Sequence, residues 1–320
     1  MSVVGRLAPS PTGAQHVGNA RTYLLAWLSA RSRGGRLILR MEDIETPRIK
    51  PGADRQAIED LRWLGLDWDE GPDLGGPSSP YVQTERADLY RSLFEELKQR
   101  ELVYPCTCSR KDVIDAAGAP HGDGGQPPYP GRCAHRSASE GASLAPPFCW
   151  RFRTEAARTL EFDDLVLGRQ AATLASFGGD FVAWTVADSP SYQLAVVADD
   201  HAMGVTEAMR GDDLVPSTLR QLLLYEAFAW TPPAFAHVPL VVGPDRRRLA
   251  KRHGDTRLSK LRSEGVKPEA LLGLLAHSAG LIGTSAATSA AELLPLFEFS
   301  RITRSPFTLM PDSVAGLRTA

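Results

Sequence analysis

The sequence predicts an α/β fold built on a parallel sheet, and three observations carry that prediction. A short apolar run at residues 3–7 stops at a breaker-rich turn, Ala8-Pro9-Ser10-Pro11-Thr12-Gly13. A helix follows over residues 20–30, with Tyr23, Leu24, Trp27 and Leu28 on one face. A second apolar run occupies residues 36–41, just beyond the helix-ending pair Gly34-Gly35. Strand, loop, helix, strand is the opening of a parallel α/β unit.

The remaining elements follow in order. Residues 53–64 read as a helix that ends at Gly65, and residues 89–99 as another. From Ala116 to Pro147 the composition shifts to Gly, Pro, Ala and Ser with almost no apolar periodicity. Such a segment is an irregular insertion, flexible unless something ties it down. Apolar patterning resumes at residues 148–153. Strand-like runs are expected at 181–186 and 194–198, a long helix at 217–228, and helices near 268–279 and 287–297. No internal repeat is visible.

Composition bounds the function. A chain of 320 residues suggests about two domains, with ample length to bury a core. The 36 basic and 38 acidic side chains leave a net charge of −2, which excludes a globally basic nucleic-acid binder but not a local basic patch. No run approaches the ~18–20 apolar residues of a membrane helix. The start, Met1-Ser2-Val3-Val4-Gly5-Arg6, lacks the charged and apolar regions of a secretory signal. Four cysteines are too few for a disulfide scaffold. The expectation is a cytoplasmic monomer with no membrane partner.

Three local features carry chemistry. The first is the turn from Arg6 to Asn19, where a strand end meets a helix start. Ligands of open parallel sheets sit at the carboxyl ends of strands, and helix N-termini offer oriented N–H groups to phosphate. Gly18 lets a nucleotide approach the backbone, and His16 can bond a phosphate or ribose. Taken alone, the prolines and glycines here mark only a turn. The second is a basic loop from Asp245 to Arg262, with eight Lys or Arg against two Asp. The third is a cysteine cluster: Cys106-Thr107-Cys108 precedes the irregular insertion and Cys133 lies inside it. A metal would order so Gly/Pro-rich a segment, because metal binding supplies folding energy. The C-x-C spacing is tighter than the common C-x2-C, so spacing alone leaves the metal open. Cys149, between Phe148 and Trp150 at a strand start, reads as a buried free thiol.

These segments together resemble the class I aminoacyl-tRNA synthetases. His16-Val17-Gly18-Asn19 stands in the place of that class's HIGH signature. Its flanks, residues 6–13 and Arg40-Met41-Glu42-Asp43, are similar to the glutamyl branch, as are residues 191–201 and Met209-Arg210-Gly211, in the same order. The likeness runs from Val4 to about Lys260. It implies a Rossmann-type parallel sheet and a pocket for L-glutamate. A carboxylate calls for the planar donors of an arginine, here Arg6 and Arg210. Glu42 would accept from the ammonium, and the Tyr192 hydroxyl would meet the side-chain carboxylate. Leu7, Ala8, Pro9 and Ser10 would complete the wall. ATP, with Mg, would lie on His16, Gly18 and Asn19. Arg248-Leu249-Ala250-Lys251-Arg252 resembles the KMSKS loop, with Arg248 for the usual first Lys and Ala250 for the Ser. Lys251 would stabilise charge on the α-phosphate, and with His16 it is the expected catalytic residue.

Length and cysteine placement narrow the resemblance. A discriminating glutamyl-tRNA synthetase carries a large helical anticodon domain, whereas only about 60 residues follow the basic loop here, enough for a short helical bundle. C-x-C followed by Tyr129-Pro130-Gly131-Arg132-Cys133 resembles the zinc site of the truncated glutamyl-queuosine branch. That likeness implies one structural zinc held by Cys106, Cys108, Tyr129 and Cys133, with His121, His135 or Cys149 as alternative fourth ligands. It implies four segments: 1–100, the first half of the catalytic domain; 101–150, the zinc insertion; 151–240, the second half; and 241–320, the KMSKS-like loop and helical C-terminal domain. It further implies tRNA-independent activation of glutamate and its transfer to queuosine at the first anticodon position of tRNA(Asp). Two alternatives stand beside it: a paralogue charging a tRNA 3′ end, and an inactive synthetase-like protein that binds glutamate or tRNA.

Overall fold

The computed structural model describes residues 2–44, 46–117, 128–247, 249 and 255–318. Strand β1 (Val4–Leu7) is buried along its whole length and pairs in parallel with β2 (Arg36–Leu39), Val4 opposite Arg36 and Leu7 opposite Leu39. The crossover between them is helix α1 (Val17–Arg31). The helix starts three residues earlier than its apolar face suggests, because His16 is its N-cap: the ring Nδ1 accepts from the Gly18 N–H at 3.1 Å, and Asn19 Oδ1 accepts from the His16 N–H at 3.3 Å. The turn back into β2 needs glycine, since a Cβ at Gly35 would lie 2.7 Å from the Val3 carbonyl oxygen. The second strand is shorter than the run 36–41: Met41 bridges Val82 instead, its N–H donating to the Tyr81 carbonyl and its carbonyl accepting from the Gln83 N–H.

Helices α2 (Ala53–Trp63) and α3 (Ala87–Gln99) match the expected positions. Beyond them β3 (Val103–Cys106), the short helix α4 (Arg110–Ala117) and β4 (Cys149–Phe152) follow. A hairpin of β5 (Thr159–Asp164) and β6 (Gly168–Thr173) precedes β7 (Phe181–Trp184). Strands β3, β4 and β7 make an antiparallel sheet in which Cys106 lies opposite Cys149.

Residues 194–198, read from sequence as a strand, are instead the middle of helix α5 (Tyr192–Ala202). Ser191 caps its start, its hydroxyl accepting from the Leu194 N–H at 3.4 Å. The run is apolar on all sides because Leu194 to Asp200 are all buried, so periodicity could not distinguish strand from helix there. Strand β8 (Glu207–Gly211), helix α6 (Val215–Ala227) and strand β9 (Ala234–Val238) complete the second α/β unit. The β8 and β9 strands pair in parallel, with Arg210 opposite His237. Just before β8, the Thr206 N–H donates to the Val4 carbonyl at 2.9 Å, which sets the second unit beside the first.

After β10 (Val241–Val242) come α7 (Leu258–Ser263), α8 (Pro268–Ala279), α9 (Ala290–Leu293), β11 (Phe307–Thr308) and α10 (Pro311–Gly316). The helix expected over 287–297 is a single turn, since Pro295 interrupts it and a 3-10 turn follows. These C-terminal helices pack into the same core as α1: Leu24, Leu25 and Leu28 share it with Leu271, Leu275 and Leu293. No described helix is long and apolar enough to cross a membrane.

A set of buried ions crosses the interface between the two units. Arg40, wholly buried, gives Nη1 to Asp200 at 2.7 Å and Nη2 to Glu42 at 2.9 Å, and its Nε lies 3.7 Å from Asp199. Asp199 also accepts from Gln83 at 2.7 Å, from Arg86 Nε at 2.6 Å and from the Tyr90 hydroxyl at 2.9 Å. Removing one partner from such a set leaves uncompensated buried charge. Arg40→Met is therefore expected to cost about 3–5 kcal/mol of unfolding free energy. Denaturant titration measures it, and a loss below about 1 kcal/mol would contradict the network's structural role.

Candidate active site and metal cluster

The carboxyl ends of β1 and β8 and the start of α1 surround a cavity of about 210 Å³. Arg6, Ala8, His16, Gly18, Asn19, Glu42, Tyr192 and Arg210 all border it, so eight residues singled out from the sequence converge on one space. Leu7, Pro9 and Ser10 are not among its lining residues. Leu7 is wholly buried in the main core, the Pro9 carbonyl accepts the Glu42 N–H at 3.0 Å, and Ser10 is exposed. These three shape the strand end through the backbone. Lys251, with Arg248, Ala250 and Arg252, lies outside the described residues, as does His121.

The segment just after that loop is anchored on the signature turn. Val17 N–H donates to the Thr256 carbonyl at 3.0 Å and Leu258 N–H to the Gln15 carbonyl at 2.8 Å, so His16 and Arg257 form an antiparallel bridge. Residues 256–258, in the described end of the basic stretch, therefore lie beside His16. Acceptance at Nδ1 from Gly18 assigns the proton of a neutral His16 ring to Nε2. A Cβ on Gly18 would lie 3.0 Å from the His16 ring, so this glycine lets the imidazole lie flat against the first helical turn.

The charges of the cavity wall are set by what lies behind them. Arg6 gives Nη1 to the Met209 carbonyl at 3.0 Å and places Nε 3.4 Å from Asp200. Asp200 is desolvated, which raises its pKa, but Arg40 and then Arg6 outweigh burial and hold the carboxyl below its usual range. For Glu42 the balance reverses: burial prevails over Arg40 and Arg6, and its carboxyl is pushed up. An arriving ammonium would favour the ionised form again. Burial, and then Glu42, raises the Tyr192 phenol, so it stands as a protonated donor. Sequence reasoning missed Arg21, a buried cavity-lining residue of α1 that donates to the Ser278 carbonyl of α8 at 3.1 Å. Burial lowers it to about 10 against the pull of Asp212. Its only signal was an arginine close to the apolar run Tyr23 to Leu28.

The second cluster lies at the end of β3. The Sγ atoms of Cys106, Cys108 and Cys133 fall within 4.8 Å of one another. Cys108 and Cys133 are 3.8 Å apart, close to the edge of a tetrahedron with ~2.3 Å metal–sulfur bonds. The Tyr129 hydroxyl lies 3.3 Å from Cys106 Sγ and 3.8 Å from Cys108 Sγ, on the fourth side. Three thiols and a phenol around one point can hold a metal ion. A hydrogen bond from Cys149, then those from Tyr129 and Arg151, bring Cys106 down to about 4 against burial. Burial pushes Cys108 up to about 11. Cys149 is buried and outside the cluster of three, and His135 is exposed. The Arg151 guanidinium stacks 3.8 Å over the Tyr129 ring and reaches Cys106 Sγ at 3.3 Å, a positive charge against the thiols.

Two α/β units, a strand-end pocket with arginines and a carboxylate, and a basic loop rooted on the signature turn define a class I synthetase. The family "tRNA synthetases class I (E and Q), catalytic domain" matches residues 2–304, and the chain belongs to it. Relatives matched from end to end are Glutamyl-Q tRNA(Asp) synthetases. That of Symbiobacterium thermophilum is 47% identical over 98% of each chain, and that of Rhodopirellula baltica is 48% identical over 97% of each. The glutamate–tRNA ligase of Desulforamulus reducens is 38% identical, and the chain spans 66% of it. The crystal structure of a glutamate tRNA ligase from Elizabethkingia meningosepticum in complex with its amino acid superposes with a TM-score of 0.85 at 28% identity, over 99% of this chain and 69% of that one. As a ligase of this class the protein uses ATP with Mg. Gly18→Ala, which displaces the His16 ring, is expected to slow glutamate-dependent ATP–pyrophosphate exchange by roughly ten- to a hundredfold. Thermal unfolding should be little changed, and an unaltered exchange rate would show that the ring position does not matter.

Proposed function

We propose that the cavity activates L-glutamate with ATP, without tRNA, and that the glutamyl group passes to the queuosine cyclopentenediol at the first anticodon position of tRNA(Asp). The observation that carries this reading is the higher identity to Glutamyl-Q tRNA(Asp) synthetases, 47% and 48%, than to a glutamate–tRNA ligase, 38%. We take the working unit to be a cytoplasmic monomer with no membrane partner, built from the four segments set out above.

In the first step a glutamate α-carboxylate oxygen attacks the α-phosphorus in line. The bond to the bridging oxygen of the β-phosphate breaks and pyrophosphate leaves. In the second, a queuosine hydroxyl attacks the carbonyl carbon of the adenylate, losing its proton as AMP departs. No nucleophilic side chain is needed, so the protein contributes position and electrostatics. Arg6 and Arg210 meet the carboxylates, Glu42 accepts from the ammonium, and the Tyr192 hydroxyl orients the side-chain carboxylate. Ala8 forms the wall at the strand end, and Leu7, Pro9 and Ser10 shape it through the backbone. The start of α1, with His16, Gly18 and Asn19, takes the ATP phosphates, and Lys251 stabilises charge developing on the α-phosphate. The near-neutral protein with a local basic loop suits an enzyme that engages an anticodon loop rather than wrapping a whole tRNA.

The metal of the cysteine cluster is zinc in this reading, held by Cys106, Cys108, Cys133 and Tyr129. Bound there it supplies folding energy to the Gly/Pro-rich insertion, with no step of the reaction passing through it.

Two experiments test these readings. Radiolabelled glutamate with ATP is expected to label tRNA(Asp) that bears queuosine and not its queuosine-free counterpart, while Lys251→Ala abolishes ATP–pyrophosphate exchange. Labelling confined to queuosine-free tRNA(Glu) would instead assign the 3′-end reaction. Elemental analysis of protein never exposed to chelator should find about one zinc per chain, lost in Cys106→Ser. A stoichiometry near zero in the parent would refute the zinc site.

A further inference from the structure

Arg210 borders the cavity, yet one edge of its guanidinium is already committed to the protein. Its Nε donates to His237 Nε2 at 3.2 Å, and its Nη2 donates to Thr218 Oγ1 at 2.5 Å. Nε and Nη2 form the side-on fork that often grips a carboxylate. Nη1 is buried without an acceptor of good geometry. What remains for a ligand is the end of the guanidinium, Nη1 together with the second Nη2 hydrogen, in a space shared with the Tyr192 hydroxyl, the arginine's other side-chain partner.

The fork is held by a histidine that does not itself border the cavity. His237, on β9, has no exposed surface and uses both ring nitrogens. Its Nδ1 lies 2.6 Å from Asp164 Oδ2, and its Nε2 lies 2.8 Å from the Thr218 hydroxyl as well as facing Arg210. Asp164 is pinned in turn by the backbone N–H groups of Val166, Leu167 and His237, at 2.9, 2.9 and 3.1 Å. A ring nitrogen accepts from a guanidinium only when it carries no proton, so the proton must sit on Nδ1, against Asp164. Burial, joined by Arg210 and Arg6, outweighs Asp164 and lowers the imidazole pKa, which keeps the ring neutral. The rings of Phe162 and Phe235 pack against it, with centroids 5.9 and 6.2 Å away.

We propose that Asp164 and His237 are positioning residues that fix the Arg210 guanidinium with its end toward a glutamate carboxylate, making His237 a determinant of glutamate affinity. This rests on the reading of Arg210 as a carboxylate partner. His237→Asn keeps a donor for Asp164 but has no acceptor where Nε2 stood. His237→Gln puts an amide oxygen there and abandons Asp164. In ATP–pyrophosphate exchange with the zinc-replete full chain, His237→Asn should raise the KM for glutamate about tenfold, with kcat and the KM for ATP within about twofold. His237→Gln should stay within about threefold of the parent KM although it is the less stable variant, since it takes the side-chain donor from a buried carboxylate and leaves it only backbone N–H partners.

A merely structural role would make loss of affinity follow loss of thermal stability, and that ordering would overturn the proposal. So would an unchanged glutamate KM in His237→Asn while Arg210→Gln raises it. If Arg210→Gln itself leaves that KM unchanged, the reading of Arg210 fails and the proposal with it. Nitrogen NMR of the unmutated chain near neutral pH gives a check that needs no variant. His237 should show the neutral Nδ1-protonated tautomer; the Nε2-protonated form or an imidazolium would overturn the assignment.

Discussion

The pocket depends on one arrangement of buried charge: Asp200, nearly inaccessible, between Arg6 and Arg40. Arg6 comes from β1, Arg40 from the end of β2 and Asp200 from α5, so the triad joins the first α/β unit to the helix of the second. Ions so placed contribute little net stability, because desolvation cancels most of the attraction. What they fix is direction. Arg6 is turned toward the cavity by Asp200 and by the Met209 carbonyl, and Glu42 is turned by Arg40. A site built in this way meets charged substrate groups with dipoles already oriented, so little reorganisation remains when the reaction begins.

The same logic recurs at three depths. Arg40 stands behind Glu42, Asp200 behind Arg6, and His237 with Asp164 behind Arg210. In each case a residue that borders the cavity owes its orientation to one further in. The metal cluster repeats the pattern, with Arg151 stacked on Tyr129 and bonded to Cys106. Its place at the β3–β4 edge, where Cys106 faces Cys149, ties a Gly/Pro-rich segment to a sheet that has its own aromatic core.

Much of the fold was legible in the sequence wherever periodicity and punctuation agreed. The β1–α1–β2 unit, α2, α3, α6 and α8 lie close to where apolar spacing and terminal glycines put them. Legibility failed where burial is complete. The α5 segment has no polar face to reveal its period, β8 is a short buried strand interrupted by Glu207 and Arg210, and β9 is one flanked by Pro233 and Pro239. At the site, eight of the residues touching the cavity were legible because the family resemblance marks them and the chemistry of a carboxylate and an ammonium fits their types, whereas Arg21 was not. The residues behind them were not. Asp199 and Asp200 stood inside a recognised segment without a role, and nothing local marks His237 or Asp164, which meet only through a parallel pairing between strands about seventy residues apart. Such partnerships are a property of topology.

The main core has a consequence for how the chain is made. It draws mostly on residues 7–68 and 258–317, joined by Val166, Met209, Ala236, Val238 and Val241, with Arg21 of α1 bonded to Ser278 of α8, while the second aromatic core occupies residues between the two ends. During synthesis the amino-terminal strands and the signature turn leave the ribosome long before the helices that cover them exist. The central module has its own apolar cluster and can collapse earlier, whereas α1 must wait with one flank uncovered until nearly the whole polypeptide has emerged. Closing so distant a contact is slow, and the exposed flank is the natural point for a chaperone to engage or for misassembly to start. The last helices, which contribute no charged group to the pocket wall, are what complete its folding.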